Sequence, residues 1–238
     1  MIYTALIKDL FKSTALVFIF LIIVAFFCQF HFELGDLFLW KVILVFLAGS
    51  FIVITLATRF LSTQTFGLAN KVTLIRWSLV ALLFGLVGDY QAPWLVVLIS
   101  STVLVLDGVD GWIARYFQLA NDFGARFDME TDAILLLIIS VLVWQYDKAG
   151  VWILFAGFLR YIYVVLGYFF PVLLEELPPS RRRQAAFIVQ AVALIISISP
   201  ITGQLLSNGI ALTGLLLLIS SFATDVNYLI RSNSDLSS

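Results

Sequence analysis

The sequence predicts an all-α fold, a polytopic membrane helix bundle of about eight spans. Of its 238 residues, 62% are apolar and only 12% are charged, whereas an ordinary soluble domain has roughly 45–50% and about 25%. The apolar residues form continuous runs close to the roughly 20 residues that a spanning helix needs. These runs lack the period-two alternation of a lipid-facing β-barrel. We therefore expect an integral membrane protein in which almost every residue lies in or beside a helix.

The candidate spans follow one another with short connections. They cover residues 14–30, 38–57, 72–88, 93–117, 124–145, 149–173, 184–201 and 209–230. The first run follows two lysines, as a signal peptide does, but it is longer than a usual signal core and no small-residue cleavage site follows it, so we interpret it as a retained helix. The polar segment 62–70 predicts a division into a two-helix N-terminal extension, 1–62, and a six-helix membrane domain, 63–238.

The basic residues predict the orientation of the spans. Nearly all of them fall at alternate ends, on what we take as the cytoplasmic side, and the opposite connections contribute only Lys148. These residues are Lys8, Lys12, Arg59, Lys71, Arg76, Arg115, Arg126, Arg181, Arg182, Arg183 and Arg231. An even number of spans then places both termini in the cytoplasm.

Charge and composition exclude several classes of function. The formal net charge is -1, so no basic field indicates a nucleic-acid partner. With Cys28 and His31 as the only residues of their kinds, the chain has no disulfide framework and too few soft ligands for a zinc, haem or iron–sulfur site. Any metal must be held by oxygen atoms.

An acidic cluster indicates where such a metal binds. Asp107 and Asp110 are spaced i and i+3 in one predicted helix, and Asp128 and Asp132 are spaced i and i+4 in the next, so each pair projects from one helix face. Ionised residues are costly inside a bilayer, and carboxylates gathered in one cavity must protonate or bind cations. Oxygen ligands suit Mg²⁺, Mn²⁺ or Ca²⁺, and paired ions are a common device for binding phosphates.

Small residues and one arginine surround the carboxylates. Gly108, Gly111, Ala114 and Gly124 leave little side-chain bulk beside them, an arrangement that by itself also serves close helix packing. Arg115, one turn after Gly111, adds a cation suited to phosphate oxygens. Together these residues describe a site for a ligand that carries a pyrophosphate.

These residues form a pattern that resembles a known family signature. Asp107, Gly108, Asp110, Gly111, Ala114 and Arg115 are followed, after eight residues, by Gly124, Asp128 and Asp132. This spacing resembles that of the CDP-alcohol phosphotransferases, a family of integral membrane enzymes. The resemblance should cover about residues 70–230.

The resemblance implies an activity and roles for the residues. It implies transfer of a phosphoalcohol group from a CDP-linked donor to an acceptor hydroxyl, with release of CMP, in phospholipid biosynthesis. Asp107, Asp110 and Asp128 would bind divalent metals, and Asp132 would be a metal ligand or the general base. We expect two ions, Mg²⁺ or Mn²⁺. The residues expected to line the nucleotide pocket are Gly108, Gly111, Ala114, Arg115, Gly124, Asn70 and Thr73.

Four arginines are candidates for binding the acceptor or a phosphate. Arg76 follows Asn70 and Thr73 at three-residue intervals on one helical stripe, although Arg76 could instead reach lipid headgroups. Arg160 lies near the middle of a span, where a lipid-facing arginine would be costly. Arg181 and Arg182 begin a later span. There they also agree with the positive-inside rule for the orientation of the spans and with attraction to anionic lipids. The Lys-x-Lys-Thr element usual in phosphatidylglycerophosphate synthases is replaced here by Arg181-Arg182-Arg183-Gln184. The sequence therefore does not identify the acceptor alcohol.

The sequence and the resemblance also lead to expectations about the donor substrate, the oligomeric state and the location. The compact chain favours CDP-diacylglycerol as donor, with a CDP-choline or CDP-ethanolamine type of transfer to diacylglycerol as the alternative. A cation transporter is the competing class, because intramembrane carboxylates also mark ion paths. Few polar residues continue toward the far face, which favours an enzyme. The resemblance also implies a homodimer, and we expect membrane lipids as partners and the bacterial inner membrane as location.

Overall fold

The computed structural model describes residues 2–61, 65–117, 121–174 and 180–236. Within these ranges the regular structure consists of helices without any β-strand, which confirms the all-α prediction. The α-helices are α1 (Ile2–His31), α2 (Leu37–Phe60), α3 (Leu68–Gly85), α4 (Pro93–Tyr116), α5 (Asp122–Gln145), α6 (Leu154–Phe169), α7 (Arg181–Ile198) and α8 (Gln204–Leu236). Two short 3₁₀ segments, Val151–Ile153 and Pro171–Leu174, flank α6.

Among the described residues, six helices are long and apolar enough to cross a membrane. They are the segments Ala5–His31, Leu37–Phe60, Leu68–Gly85, Pro93–Tyr116, Val151–Phe169 and Gln204–Arg231. Large apolar side chains such as Phe20, Phe30 and Leu205 are exposed on them, as expected of surfaces that face lipid. The chain is therefore an integral membrane protein. That α5 and α7 also cross, and that α1 and α2 are additional to a six-helix core, stay predictions.

Local sequence explains several helix boundaries. Gly67 precedes α3 with a φ of 85°, a conformation that glycine adopts without steric cost. Pro93 begins α4, where its missing N–H would have no helical partner in any case. The helix α1 begins at Ile2, well before the predicted apolar run at residue 14. The first turns contain charged residues such as Lys8 and Asp9, so they lie outside the apolar run although they are helical.

Three segments between predicted spans fall outside the described residues. They are 62–64, which contains the predicted domain boundary, 118–120 and 175–179. The helices on either side of each of these segments are described.

The helices form two compact units, Met1–Ile138 and Ile139–Ser238. In the first unit α3 packs against α1, α2 and α4. The indole Nε1 of Trp77 on α3 donates a hydrogen bond to the carbonyl of Phe46 on α2 at 3.3 Å. At the end of α3, Lys41 of α2 donates to the carbonyl of Val87 at 2.6 Å. Neighbouring helices thus enclose α3 on several sides.

In the second unit α7 packs against α8. Ser197 and Ser207 join these helices reciprocally, because each hydroxyl donates to the other residue's carbonyl, at 3.1 and 2.9 Å. Lys148 donates to the carbonyls of Ser199 and Thr202 in the turn between α7 and α8, at 3.0 and 2.6 Å. Polar side chains thus satisfy the backbone where these helices reverse direction.

Candidate active site

Four aspartates on two successive helices meet around one arginine. Asp107 and Asp110 come from the last three turns of α4, and Asp128 and Asp132 come from the first half of α5. The guanidinium of Arg76 on α3 lies 2.8 Å from a carboxylate oxygen of Asp107 and 2.8 Å from one of Asp110. It also forms ion pairs with Asp128 and Asp132. The structure therefore brings together the four carboxylates that the spacing singled out.

Arg76 is the electrostatic centre of this cluster. Its side chain is 0% exposed, and a buried guanidinium is tolerated only where anionic partners offset the loss of hydration. Both terminal nitrogens are used, since Nη1 contacts Asp110 and Asp128 while Nη2 contacts Asp107 and Asp132. One positive charge is thus shared among four carboxyl groups.

The predicted stripe of α3 faces the same cluster. The hydroxyl of Thr73 donates to Asp110 Oδ2 at 3.1 Å and to the carbonyl of Ala69 at 3.2 Å. Asp110 is only 4% exposed and accepts from both Thr73 and Arg76, so it is the most firmly held of the four. The carboxylate of Asp128, at 41% exposed, is the most accessible to a ligand from solvent.

Asn70, at the start of the stripe, lies against the beginning of α5. Its side-chain nitrogen donates to the carbonyl of Phe66 at 2.7 Å, and the residue is buried. A Cβ added to Gly124 would lie 2.5 Å from Asn70 Oδ1, which is closer than real Cβ contacts. Asn121 caps α5, because its side-chain oxygen accepts from the N–H of Gly124 at 2.7 Å. A side chain at position 124 would therefore displace the Asn70 side chain from its place in the structure.

The other small residues of the signature differ in their surroundings. A Cβ added to Gly108 would meet nothing within 4 Å, so this face of α4 is open. At Gly111 the same addition would lie 3.3 Å from Nη1 of Arg115, which means that the arginine folds back over the glycine. Ala114 is half-buried and Arg115 is exposed. The end of α4 thus combines an open surface at Gly108 with an exposed positive charge, which suits a phosphate-bearing ligand.

The donor set of the cluster fits a divalent cation. Asp107, Asp110 and Asp128 each offer one carboxylate oxygen, and these oxygens lie within 4.8 Å of one another. Ligand oxygens on one Mg²⁺ lie about 2.1 Å from the ion and hence up to about 4.2 Å apart. The oxygens would therefore have to come closer by about 0.6 Å to share one Mg²⁺. The fourth carboxylate, Asp132, is not part of this triad but shares Arg76 with it.

The remaining predicted site residues, Arg160, Arg181 and Arg182, lie in the second unit. Arg160 is half-buried on α6, and Arg181 is exposed at the first residue of α7. Arg182 forms an ion pair with Asp225 of α8 and donates to the carbonyl of Ser221 at 2.8 Å. Their predicted part in binding an acceptor stays a prediction.

Two features of these ion pairs were not foreseen from the sequence. Arg76 was expected to contact a phosphate, whereas in the structure it joins all four aspartates. Asp225, which is 7% exposed, did not stand out as a partner for Arg182. Its position within an apolar run was the available signal, because a carboxylate there needs a cationic partner.

Comparison with known proteins gives one match. The family model for CDP-alcohol phosphatidyltransferase matches residues 66–224, more than half of the chain, and this range contains the four aspartates, Arg76 and the glycines beside them. No curated protein and no solved structure matches the chain. Members of this family transfer a phosphoalcohol from a CDP-alcohol to a hydroxyl, which agrees with the resemblance in the spacing of the aspartates. The chain belongs to the CDP-alcohol phosphatidyltransferase family.

Proposed function

We propose that the chain transfers a phosphatidyl group from CDP-diacylglycerol to the hydroxyl of a polar acceptor and releases CMP. The observation that carries this proposal is the cluster of carboxylates around Arg76, with three oxygens placed to hold a divalent ion. Two Mg²⁺ or Mn²⁺ ions held by Asp107, Asp110, Asp128 and Asp132 would neutralise the charge of the pyrophosphate and of the departing CMP. The rest of the reaction depends on the residues of the chain.

Asp132 is our candidate for the general base. The acceptor oxygen attacks the phosphorus that bears diacylglycerol, the bond from that phosphorus to the bridging oxygen breaks, and CMP leaves with the electron pair. The proton of the acceptor hydroxyl passes to a carboxylate, for which Asp132 is suited because it lies at the cluster without belonging to the triad. General-base catalysis of this kind contributes roughly 100- to 10,000-fold.

The surroundings of the triad support a nucleotide at the ends of α4 and α5. The open face at Gly108 and the exposed Arg115 would accept the pyrophosphate, while Gly111 and Ala114 add little bulk beside it. Asn70 and Thr73 would fix the α3 side of the pocket, where Gly124 permits close approach. For the acceptor we propose Arg160, Arg181 and Arg182, with Arg76 reaching a phosphate of the donor once divalent ions share the aspartates.

A lipid substrate fits the chain, and we take that lipid to be the donor. The apolar surfaces of the six candidate spans allow acyl chains to remain in the bilayer while the pyrophosphate enters the polar cluster. The polar acceptor would arrive from the cytoplasm. This arrangement requires the active site and both termini to be cytoplasmic, which we propose together with a homodimer in a bacterial inner membrane and phospholipid biosynthesis as the pathway.

The direct test is acceptor-dependent release of CMP. Purified protein in detergent is given CDP-diacylglycerol and Mg²⁺ with glycerol phosphate, inositol phosphate, serine, inositol or choline in turn. Asp132→Asn should abolish CMP release, whereas the matched control Glu130→Gln, an exposed carboxylate on the same helix, should retain it. Equal loss in both variants would count against the assigned role of Asp132.

The panel also separates the alternatives. Release of CMP only from CDP-choline or CDP-ethanolamine with diacylglycerol would identify the lipid as acceptor rather than donor. Absence of CMP with every pair, together with cation flux in liposomes, would replace the transferase by a transporter that uses the same carboxylates.

A further inference from the structure

Asp9, near the start of α1, binds the segment that leads into α3. Its Oδ2 accepts a hydrogen bond from the backbone N–H of Phe66 at 2.9 Å, and its Oδ1 accepts from Nζ of Lys71 at 2.7 Å. Asp9 lies outside the range 66–224 that matches the family, whereas both of its partners lie inside it. One carboxylate of α1 therefore binds both the first turn of α3, at Lys71, and the residue Phe66 that precedes the helix.

Phe66 connects this contact with the candidate active site. Its carbonyl accepts from the side chain of Asn70 at 2.7 Å, so both backbone polar groups of Phe66 are bound by side chains. Its ring is buried and lies 6.2 Å, centroid to centroid, from the ring of Phe123 on α5. Gly67, which follows, has a φ of 85°, and an unbound segment at this glycine would have wide conformational freedom.

The series of contacts from Asp9 through Phe66 and Asn70 ends at Gly124 on α5. Asn70, whose nitrogen is bound to Phe66, places its oxygen where an added Cβ on Gly124 would collide with it. Gly124 lies one turn before Asp128 on α5. A shift of Phe66 would therefore move Asn70, on the α3 side of the proposed nucleotide pocket.

We propose that Asp9 is a positioning residue for the nucleotide end of the donor site, acting through Phe66 and Asn70. The inference rests on the proposed function, because it takes the surface around Asn70 and Gly124 as the place where the donor nucleotide binds. It assigns a task to α1: the helix holds the entry of α3 in the conformation that binds the CDP group. We therefore expect loss of Asp9 to change the donor KM more than kcat, as removal of a binding contact does.

The chain offers a matched control at the other end of α3. Asp89 Oδ1 accepts from the backbone N–H of Gly35 at 3.0 Å, so this contact also joins the α1–α2 region to the segment next to α3 through one carboxylate. Since α3 has 18 residues, its two ends are about 27 Å apart. Asp89→Ala removes a comparable contact far from the aspartates.

The test compares Asp9→Ala and Asp89→Ala in the full-length protein, with CMP release measured against CDP-diacylglycerol concentration. In Asp9→Ala we expect KM for the donor to rise about tenfold, at the lower end of the range for residues that support a binding group. We expect kcat to stay within about twofold in both variants and KM within about twofold in Asp89→Ala. Asp9→Asn should be intermediate, because its amide oxygen can still accept from Phe66.

An unchanged donor KM in Asp9→Ala, or an equal rise in both variants, would overturn the proposal. Hydrogen–deuterium exchange provides a readout that needs no substrate: amides 66–71 should exchange faster in Asp9→Ala than in wild type, and not in Asp89→Ala. If the wild-type protein released no CMP from any donor, the proposed function would fail. Unchanged exchange at 66–71 would separately show that Asp9 does not hold the entry of α3, whatever the outcome of the CMP assay.

Discussion

Replacement of Arg76 by methionine removes the shared partner of four aspartates while keeping most of the side-chain volume. Arg76 is 0% exposed and contacts Asp107, Asp110, Asp128 and Asp132. Loss of one partner from a buried ion pair typically costs about 3–5 kcal/mol. Because Asp128 is 41% exposed and therefore partly hydrated, we take the lower value, about 3 kcal/mol. For a chain of this length that corresponds to a fall in Tm of about 6–12 °C.

The assay is thermal unfolding in detergent, with EDTA or with MgCl₂ or MnCl₂. In EDTA we expect Arg76→Met to unfold at the lower temperature, because repulsion among the carboxylates is no longer offset. Divalent ions should then raise its Tm by more than they raise that of the wild type, since they take over the neutralisation. A ligand present at 100 times its Kd stabilises the folded state by about 2.7 kcal/mol, which is enough to recover most of the loss.

Arg59→Met controls for the loss of one positive charge, because Arg59 is exposed in the last turn of α2. It should leave both the Tm in EDTA and the response to Mg²⁺ near wild-type values. If Arg76→Met unfolded at the wild-type temperature in EDTA, or if Mg²⁺ raised the Tm of both proteins equally, Arg76 would not be the counter-cation of the cluster.

Three further outcomes follow from the same contacts. Gly124→Ala places a Cβ against Asn70 in the proposed nucleotide pocket and should raise the donor KM by about tenfold, as Asp9→Ala should. Gly108→Ala, whose added Cβ would meet nothing within 4 Å, should leave the Tm unchanged. Arg182→Ala and Asp225→Asn remove the same ion pair, so a double-mutant cycle on unfolding should give a coupling of about 0.5–3 kcal/mol; additive effects would show that the pair contributes nothing. EDTA should stop CMP release and added Mg²⁺ or Mn²⁺ should restore it, while activity that persists in EDTA would exclude a metal role for the triad.

Helix periodicity explains why the aspartates could be found from the sequence. Spacings of three and four residues place Asp107 with Asp110, and Asp128 with Asp132, on single faces. Because a short connection joins the two helices, those faces are expected to lie near each other. The identity and the spacing of the residues therefore predicted both the cluster and the family.

Side-chain partners across helices could not be found in the same way. Periodicity placed Arg76 on a stripe with Asn70 and Thr73, but the partner of a long side chain depends on which helices pack together and at what distance. The same holds for Asp9, which lies in turns of α1 that are too polar to be part of an apolar run and yet are helical. Its contacts with Phe66 and Lys71 join residues more than fifty positions apart, a separation that no local pattern encodes.

The burial of α3 suggests why helices outside the family-matched range accompany it. Among the six candidate spans α3 is the least apolar and the most buried, whereas α1 and α2 are the most apolar. A helix that carries Asn70, Thr73 and Arg76 is costly to expose to lipid. Contacts such as Trp77 with Phe46 and Lys41 with Val87 join α2 to α3 and to the turn that follows it. We infer that α1 and α2 stand between α3 and the bilayer, so that α3 can use polar residues for binding and chemistry.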